Sequence, residues 1–445
     1  MAILPPTRAV VTGGYQEFLA AKRKRVHEIG PRVDRADIHP TLHDWQAEIV
    51  QWAAQTGRAA IWADTGLGKT FMQVEWLRLV TAGRRGLIVA PLAVCHQTIR
   101  EAAKIGVHAT YVRTSAQVTG PGIYVTNYEM VEHFDPLEFV AVVLDEASIL
   151  KQSDGRTRTM LIRHFDRVPF RLACTATPAP NDPEELTNQA EFLGHMSRTH
   201  MLAAYFIHDD TGWRLKGHAR EPMMNWMATW ALAIRKPSDM GYSDDGYDLP
   251  GLTITPHLIE VPIEAEGHLF PTDLGGVGGR AAVRRETLDA RCERAAKLVM
   301  DEPAEPWLLW CGLNAEAERL ADLIPGAVNV DGSWSPDDKA QALLDFADGK
   351  IARLITKPSI AAMGLNWQHC ARMAFVGLSD SYEQYYQSIR RCYRYGQTRV
   401  VHAHIILSEL EGQIAVNVAR KEREASSITA QLVRAMRKNR ENANV

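Results

Sequence analysis

The sequence lacks the features of several protein classes. Its 6 cysteines never form a CxxC pair, which argues against a zinc site or a disulfide framework. The N-terminus MAILPPTRAV has no charged-then-apolar signal pattern, and no run approaches the roughly 18 apolar residues that a membrane-spanning helix needs. Lys and Arg total 50 against 53 Asp and Glu, so no overall positive charge attracts polyanions. We expect a soluble, cytoplasmic protein without a membrane partner, in which any nucleic-acid site is a local cleft.

The stretch ADTGLGKT (residues 63–70) follows a short apolar run and precedes a helical pattern. Strand, glycine-rich loop and helix in this order form a phosphate cradle, because backbone N–H groups and the helix N-terminus point at one place. We expect Lys69 to reach the β- and γ-phosphates of ATP and Thr70 to hold Mg²⁺. A tight strand-to-helix turn without a ligand is the alternative. The residues expected to contact ATP in this loop are Thr65, Gly66, Leu67, Gly68, Lys69 and Thr70.

Four further apolar runs predict strands that end in turn or polar residues. They are GLIVAP (86–91), IYVTNYEM (123–130), FVAVVLDEAS (139–148) and RLACTATP (171–178). Carboxylates at strand ends suit a nucleotide site, so we expect Asp145 to hold Mg²⁺ through water and Glu146 to deprotonate the attacking water. Thr175 and Thr177 either bridge Glu146 to a bound partner or cap the next helix. The strand-helix alternation predicts a mostly parallel sheet covered on both faces.

A second strand-helix alternation is expected over residues 291–410. Its apolar runs are WLLWC, AVNVDG, RLITK, MAFVG and HAHIIL, and they predict another parallel sheet, without a phosphate loop. The helical stretch SYEQYYQSIRRCYRYGQ carries Arg391 and Arg394 one turn apart. These arginines either form a solvated edge or meet γ-phosphate oxygens supplied by the first unit.

The remaining segments carry weaker signals. Residues 1–35 predict a helical extension whose basic cluster 22–25 contacts phosphate or, as we favour, water. Residues 195–290 predict a helical insertion and linker. Within it, EPMMNWMATWALAIRKP is predicted to be a packing helix rather than a base-stacking platform, and the glycines at 275–279 form a connector. Residues 411–445 predict a polar helix that ends as a frayed tail.

Taken in order, these stretches resemble helicase superfamily two, and most closely its Swi/Snf-like branch of DNA translocases in the compact bacteriophage-type form. The resemblance spans about residues 36–410. Gln46 matches the glutamine that reads adenine. The other matches are ADTGLGKT to motif I, VAPLAV to motif Ia, YVTNYEM to motif Ib, DEAS to motif II, TATP to motif III, SIAAMGLNWQ to motif V and QSIRRCYRYGQ to motif VI. The sequence departs from the family pattern in two places: motif II is DEAS instead of the commoner DEAH or DEGH, and motif V contains Met363 and Trp367. These departures put the details of coupling and DNA contact in question, but not ATP hydrolysis.

The resemblance implies an α/β fold of two RecA-like lobes, residues 36–194 and 291–410, with the helical insertion between them. ATP and Mg²⁺ would bind between the lobes, with Gly364, Arg391 and Arg394 completing the site and double-stranded DNA lying across both lobes. The residues implied to couple the sites or to contact DNA are Asn127, Thr175, Thr177, Asn366 and Gln387.

The implied activity is ATP-driven movement along double-stranded DNA that remodels protein–DNA or branched DNA structures. A strand-separating DNA or RNA helicase is the alternative. A catalytically dead binding module would usually have lost Lys69, Glu146 or one of the arginines, and all are present. We expect a monomer in the cytoplasm, which is that of a bacterial host cell if the protein is phage-encoded.

Overall fold

The structure is a computed structural model that describes residues 27–151, 155–210, 212–260, 285–361, 366–379, 381–408 and 412–443. The basic cluster at 22–25, the glycines at 275–279, and Met363 and Gly364 of motif V lie outside these residues. Among the described residues, no helix combines the length and the apolar character needed to cross a bilayer.

The first lobe is built on a parallel sheet of seven strands in the order β3-β4-β2-β5-β6-β1-β9. Most of these strands are buried along nearly their whole length, as in a sheet covered on both faces. The strands are β1 Arg58–Ala63, β2 Arg85–Ala90, β3 Ala109–Tyr111, β4 Gly122–Asn127, β5 Ala141–Asp145, β6 Phe170–Cys174 and β9 Ala231–Ile234.

Helices connect these strands and cover the sheet. They are α1 Asp44–Thr56, α2 Lys69–Thr81, α3 Leu92–Lys104, α4 Arg156–His164, α5 Leu186–Leu193, α6 Arg198–Tyr205 and α7 Arg220–Met227. A small antiparallel pair, β7 Phe206–Asp209 and β8 Gly212–Leu215, lies between α6 and α7. The carboxyl ends of β1 and β5 place the phosphate loop and Asp145 at the same edge of the sheet.

The second lobe has a parallel sheet of six strands in the order β10-β15-β14-β11-β13-β12. Its strands are β10 Leu252–Ile259, β11 Trp307–Cys311, β12 Val328–Val330, β13 Arg353–Thr356, β14 Arg372–Val376 and β15 Val401–Ser408. Its helices are α8 Leu288–Asp301, α9 Asn314–Leu323, α10 Pro336–Ala347, α11 Pro358–Ala361, α12 Tyr382–Ile389 and α13 Gly412–Ala443. The two parallel sheets with their helices confirm the expected α/β fold of two RecA-like lobes.

Two strands of these sheets come from the range expected to be a helical insertion and linker. The stretch predicted as one packing helix over residues 221–237 is instead α7 followed by strand β9, which pairs with β1 through Ala60↔Ala231 and Ala63↔Ile234. Strand β10 pairs with β15 although it precedes residue 291. The strand ALAI is only four residues long, too short for its period to be distinguished from that of a helix.

The C-terminal helix α13 contacts both lobes, so it is not the frayed tail that its polar composition suggested. Val418 packs with the core of the second lobe, whereas Leu432 and Met436 are buried in the core of the first. The backbone N–H of Ala233 in β9 donates to Met436 Sδ at 3.1 Å, and Arg437 donates to the carbonyl of Ser238 at 2.7 Å. The helix therefore covers the edge of the first sheet at β9.

Candidate active site

The phosphate loop has the backbone geometry that its glycines allow. Gly66 and Gly68 have φ of +87° and +73°, values that a residue with a side chain rarely adopts. Lys69 begins α2, and its Nζ donates to the carbonyl of Ala63 at 2.8 Å, so the ammonium lies against its own loop. Thr70 follows in the first turn of α2. Successive loop N–H groups and the N-terminus of α2 therefore form an anion-binding concavity.

Gln46 supports this loop from helix α1. Its Oε1 accepts from the backbone N–H of His43 at 2.9 Å, and its Nε2 donates to the carbonyl of Leu67 at 3.0 Å. A Cβ atom on Gly68 would approach Gln46 Nε2 to 2.5 Å, so a larger residue there would displace the Gln46 amide. In this conformation one end of the Gln46 amide binds the loop at Leu67 and the other binds His43 at the start of its own helix. Its contact with adenine stays a prediction.

Asp145 lies at the end of β5 and is held by α2 and by its own loop. Its Oδ1 accepts from Gln73 Nε2 at 2.7 Å and from the N–H of Glu146 at 3.1 Å, while Tyr128 donates to its carbonyl at 2.6 Å. Burial raises the pKa of the Asp145 carboxyl, and the hydrogen bond from Gln73 and the charge of Lys69 oppose that shift. Sequence reasoning missed Gln73, although it lies four residues after Lys69 and thus on the same face of α2.

The site suits Mg²⁺ by the chemistry of its donors. Mg²⁺ prefers oxygen ligands and usually takes one or two carboxylates together with water and substrate phosphates. Asp145 offers a carboxylate held in place by two hydrogen bonds to Oδ1, and Thr70 offers a hydroxyl in the first turn of α2. Among the described residues no cluster of three or more His, Cys, Asp or Glu side chains could hold a metal ion.

Glu146 has a strained backbone and a perturbed carboxyl. Its φ is +55°, which is uncommon for a residue other than glycine and is often retained at functional sites. Thr175 Oγ1 donates to Glu146 Oε2 at 3.3 Å and accepts from the N–H of Thr177 at 3.1 Å. Burial, with the charges of Asp145 and Glu383, raises the pKa of Glu146 to about 7, although Lys69 and Arg391 act in the opposite direction. A carboxyl with this pKa can exchange a proton with water at neutral pH.

The arginines of the second lobe lie in the turn that follows α12. Arg391 is buried, and its guanidinium donates to the carbonyl and to the side-chain Oε1 of Gln387, both at 3.0 Å. Burial lowers the pKa of Arg391 to about 10 and that of Arg394 to about 9, so both remain charged at neutral pH. The charge of Arg391 lowers the pKa of Glu146, which lies across the cleft on the other lobe. The structure thus brings catalytic candidates from both lobes to one place.

Two ion pairs across the cleft were missed in the sequence. Arg390 donates to Asp64 Oδ2 at 2.8 Å, and Lys151 binds the buried Glu383. A cavity of about 230 Å³ lies beside the second pair and is lined in part by Glu146. The partners are hundreds of residues apart in the chain, so no local signal could have found them.

Comparison with known proteins identifies the class of this enzyme. Residues 39–202 match the family model for the SNF2-related domain, and residues 293–396 match that for the helicase conserved C-terminal domain. The chain therefore carries the two domains of an ATPase of the helicase superfamily. The first match contains the phosphate loop and Glu146, and the second contains Arg391 and Arg394, so the ATPase site is divided between the two domains.

This ATPase is similar to a SWI/SNF-related matrix-associated actin-dependent regulator of chromatin subfamily A-like protein 1 from Drosophila melanogaster. The two are 22% identical over 436 residues, which cover 88% of this chain and 57% of the relative. The chain therefore spans little more than half the length of that protein. A solved structure of the Sulfolobus solfataricus SWI2/SNF2 ATPase core in complex with dsDNA is similar over 90% of this chain and 96% of that one, with 18% identity and a TM-score of 0.44.

The residues expected to couple the ATPase to DNA have unequal exposure. Asn127, Thr175, Thr177 and Gln387 are buried, whereas Asn366 is exposed. Asn127 Oδ1 accepts from the hydroxyl of Tyr111 at 2.8 Å, and Gln387 holds Arg391. In this conformation the four buried side chains can transmit a change in the ATPase site but cannot touch a DNA surface. Gly364, expected beside ATP, lies outside the described residues.

Proposed function

We propose that this ATPase uses Mg²⁺ and ATP to translocate along double-stranded DNA, and that it thereby remodels protein–DNA or branched DNA structures. The observation that carries the proposal is the cleft bridged by the ion pairs Arg390–Asp64 and Lys151–Glu383. There Arg391 of the second lobe lies close enough to Glu146 of the first to lower its pKa. A site divided between two lobes lets nucleotide binding favour one lobe arrangement and hydrolysis another. The similarity to a chromatin regulator supports a substrate made of protein and DNA.

Each side chain has a role in hydrolysis that its place supports. Lys69 would bind the β- and γ-phosphates, and Thr70 and Asp145 would hold Mg²⁺, which neutralises charge on the phosphates. Glu146 would accept the proton of the attacking water. The two arginines would stabilise negative charge on the transferring phosphoryl group, the effect for which an arginine fork is suited. Thr175, joined to Glu146 by a hydrogen bond, would carry the state of the site toward DNA.

Binding to DNA would be mainly to phosphates. The chain has a net charge of -3, so a local groove must provide the attraction. Contacts of this kind predict affinity that is independent of sequence and whose logarithm falls linearly with log salt, by about 0.9 for each phosphate neutralised. A fluorescence-anisotropy titration of two unrelated duplexes at several salt concentrations would measure both properties.

Two displacement assays with the same ATP supply test whether the protein translocates along the duplex or separates its strands. A duplex translocase displaces the third strand of a triplex and leaves a tailed duplex intact. A strand-separating DNA or RNA helicase, the second candidate, unwinds the tailed duplex. The rate of ATP hydrolysis with duplex DNA, single-stranded DNA and RNA gives an independent measure, and Glu146→Gln is the control for ATP dependence. Unwinding without triplex displacement would reject translocation in favour of the helicase.

We also infer that the protein is of the compact bacteriophage type and acts as a monomer in the cytoplasm of a bacterial host cell. The division of one complete ATPase site between two domains of the same chain supports a monomer, because no second copy is needed to supply an arginine. Light scattering of the protein with and without duplex DNA would test this. A dimer whose dissociation abolishes hydrolysis would contradict it.

A further inference from the structure

One face of α12 and the turn after it reaches across the cleft to the first lobe. Glu383, Tyr386 and Arg390 follow one another at intervals of three and four residues, which places them on the same side of a helix. Glu383 binds Lys151, which follows motif II, while Tyr386 and Arg390 both bind Asp64 in the phosphate loop. The contact between Asp64 and Arg390 joins the phosphate loop to the residue directly before Arg391.

The Asp64 carboxylate accepts hydrogen bonds from groups of both lobes. Its Oδ1 accepts from the N–H of Thr65 at 2.6 Å and from the hydroxyl of Tyr386, and its Oδ2 accepts from Arg390 at 2.8 Å. The side chains of Arg390 and Asp64 are only 17% and 16% exposed. An ion pair shielded to this degree is screened less by salt than a surface pair. The guanidinium of Arg390 also lies 5.1 Å from the ring centre of Tyr386 and 5.3 Å from that of Tyr393.

The turn between Arg390 and Arg394 is tight. The N–H of Arg391 donates to the carbonyl of Ser388 at 3.3 Å, and that of Arg394 donates to Cys392 at 3.2 Å. The backbone of Tyr395 is also so near the loop that a Cβ atom on Gly66 would lie 3.0 Å from its nitrogen. A shift of Arg390 would therefore carry Arg391 and Arg394 with it.

We propose that Asp64, Tyr386 and Arg390 form an interlobe latch whose task is to position Arg391 and Arg394 against the phosphate loop in the lobe arrangement that hydrolyses ATP. The three are positioning residues, since Arg390 and Tyr386 bind Asp64 and not the nucleotide. The inference rests on ATP hydrolysis in this cleft and not on the identity of the nucleic-acid partner. It assigns to a third arginine of the motif VI turn a role different from that of its two neighbours.

The latch predicts a specific kinetic pattern. Misplacement of a catalytic group by about 1 Å costs on the order of 10²-fold in rate, so Arg390→Gln and Asp64→Asn should each lower kcat by about 10- to 100-fold with little change in KM for ATP. If the two residues act as one unit, the double variant should be no slower than the slower single variant. Tyr386→Phe removes only a hydroxyl and should cause a smaller loss in the same direction.

Substitution by lysine separates the latch from the catalytic arginines. Arg390 makes one described hydrogen bond to Asp64, which a lysine ammonium can replace, so Arg390→Lys should retain more activity than Arg390→Gln. Arg391→Lys should lose as much activity as Arg391→Ala, because the point charge of lysine cannot replace the planar guanidinium at phosphate. Arg399→Ala is the matched control, since it removes an ion pair with Glu305 that lies within the second lobe.

Hydrolysis is measured both without DNA and with saturating duplex DNA, and variants are compared with the native protein within each condition, so a failure of DNA stimulation does not bear on the latch. Small-angle X-ray scattering adds a readout that needs no hydrolysis: Arg390→Gln and Asp64→Asn should increase the radius of gyration, whereas Arg399→Ala should match the native protein. Thermal unfolding verifies that each variant is folded. The proposal would be overturned if the loss of kcat in the double variant equalled the product of the losses in the two single variants. It would also be overturned if both single variants had the kcat and the radius of gyration of the native protein.

Discussion

The perturbed carboxyl of Glu146 gives a quantitative prediction for the pH dependence of hydrolysis. A general base is active when it is deprotonated, so a pKa raised to about 7 means that activity is lost as the pH falls through 7. About one tenth of the carboxyl is ionised at pH 6 and about nine tenths at pH 8. We therefore expect kcat/KM for ATP to rise about tenfold between these values, since this ratio reports the free enzyme.

Glu383 provides a way to move this profile. Its negative charge helps to raise the pKa of Glu146, and it is paired with Lys151. Glu383→Gln removes the negative charge and leaves the ammonium of Lys151 unneutralised. Both changes favour the ionised form of Glu146, so the rising part of the profile should move to lower pH.

The matched control is Glu185, which is also buried and whose pKa is likewise raised to about 7, chiefly by burial. Its Oε1 accepts from the side chain of Asn181 at 2.9 Å and its Oε2 from the N–H of Asn181 at 3.1 Å. Glu185→Gln should leave the rising part of the profile where it is in the native enzyme. Steady-state hydrolysis from pH 5.5 to 9 would test both variants. A flat profile, or one that disappears in Glu185→Gln, would refute the assignment of Glu146 as the base.

Three further predictions follow from the site and from the fold. Lys69→Ala should abolish nucleotide binding while Glu146→Gln retains it, as a fluorescent-nucleotide titration would show; native turnover in Glu146→Gln would assign the base elsewhere. Arg391→Ala and Arg394→Ala should each lower kcat by about 10³ to 10⁵ without comparable loss of nucleotide affinity, and unchanged turnover in both would remove them from the site. Leu432→Ala should lower the free energy of unfolding by about 2–5 kcal/mol, measured by urea denaturation; an unchanged value would mean that α13 is not docked on the first lobe.

Local signals were sufficient where a segment's structure depends on its own residues. The runs that end at Ala63 and Asp145 are buried strands, and their polar ends lie at one edge because parallel strands share a direction. The glycines of the phosphate loop were equally predictable, since only their backbone could adopt the turn. Gln73 was within reach of the same reasoning, because its spacing from Lys69 is that of one helical face.

The missed features depend on partners far away in the chain. Strand β9 forms because β1 offers it a pairing edge, and a four-residue apolar stretch carries no period of its own. The docking face of helix α13 was not recognised in the sequence because its apolar residues are sparse. Ile428, Leu432 and Met436 nevertheless recur at intervals of four and are all buried in the first lobe. A search for that interval in a polar helix would have found this face.

The roles of the coupling residues show why a motif match gives position before it gives function. Gln387 and Arg391 were both expected to act outward, on DNA and on phosphate. In the fold Gln387 is buried, and its amide oxygen holds the guanidinium of Arg391. A buried amide that fixes an arginine restricts the directions in which the fork can point, and this orientation determines whether the charge acts on phosphate. Gln387 is thus placed to act through Arg391 and not by touching DNA, and its coupling of the ATPase site to DNA stays a prediction.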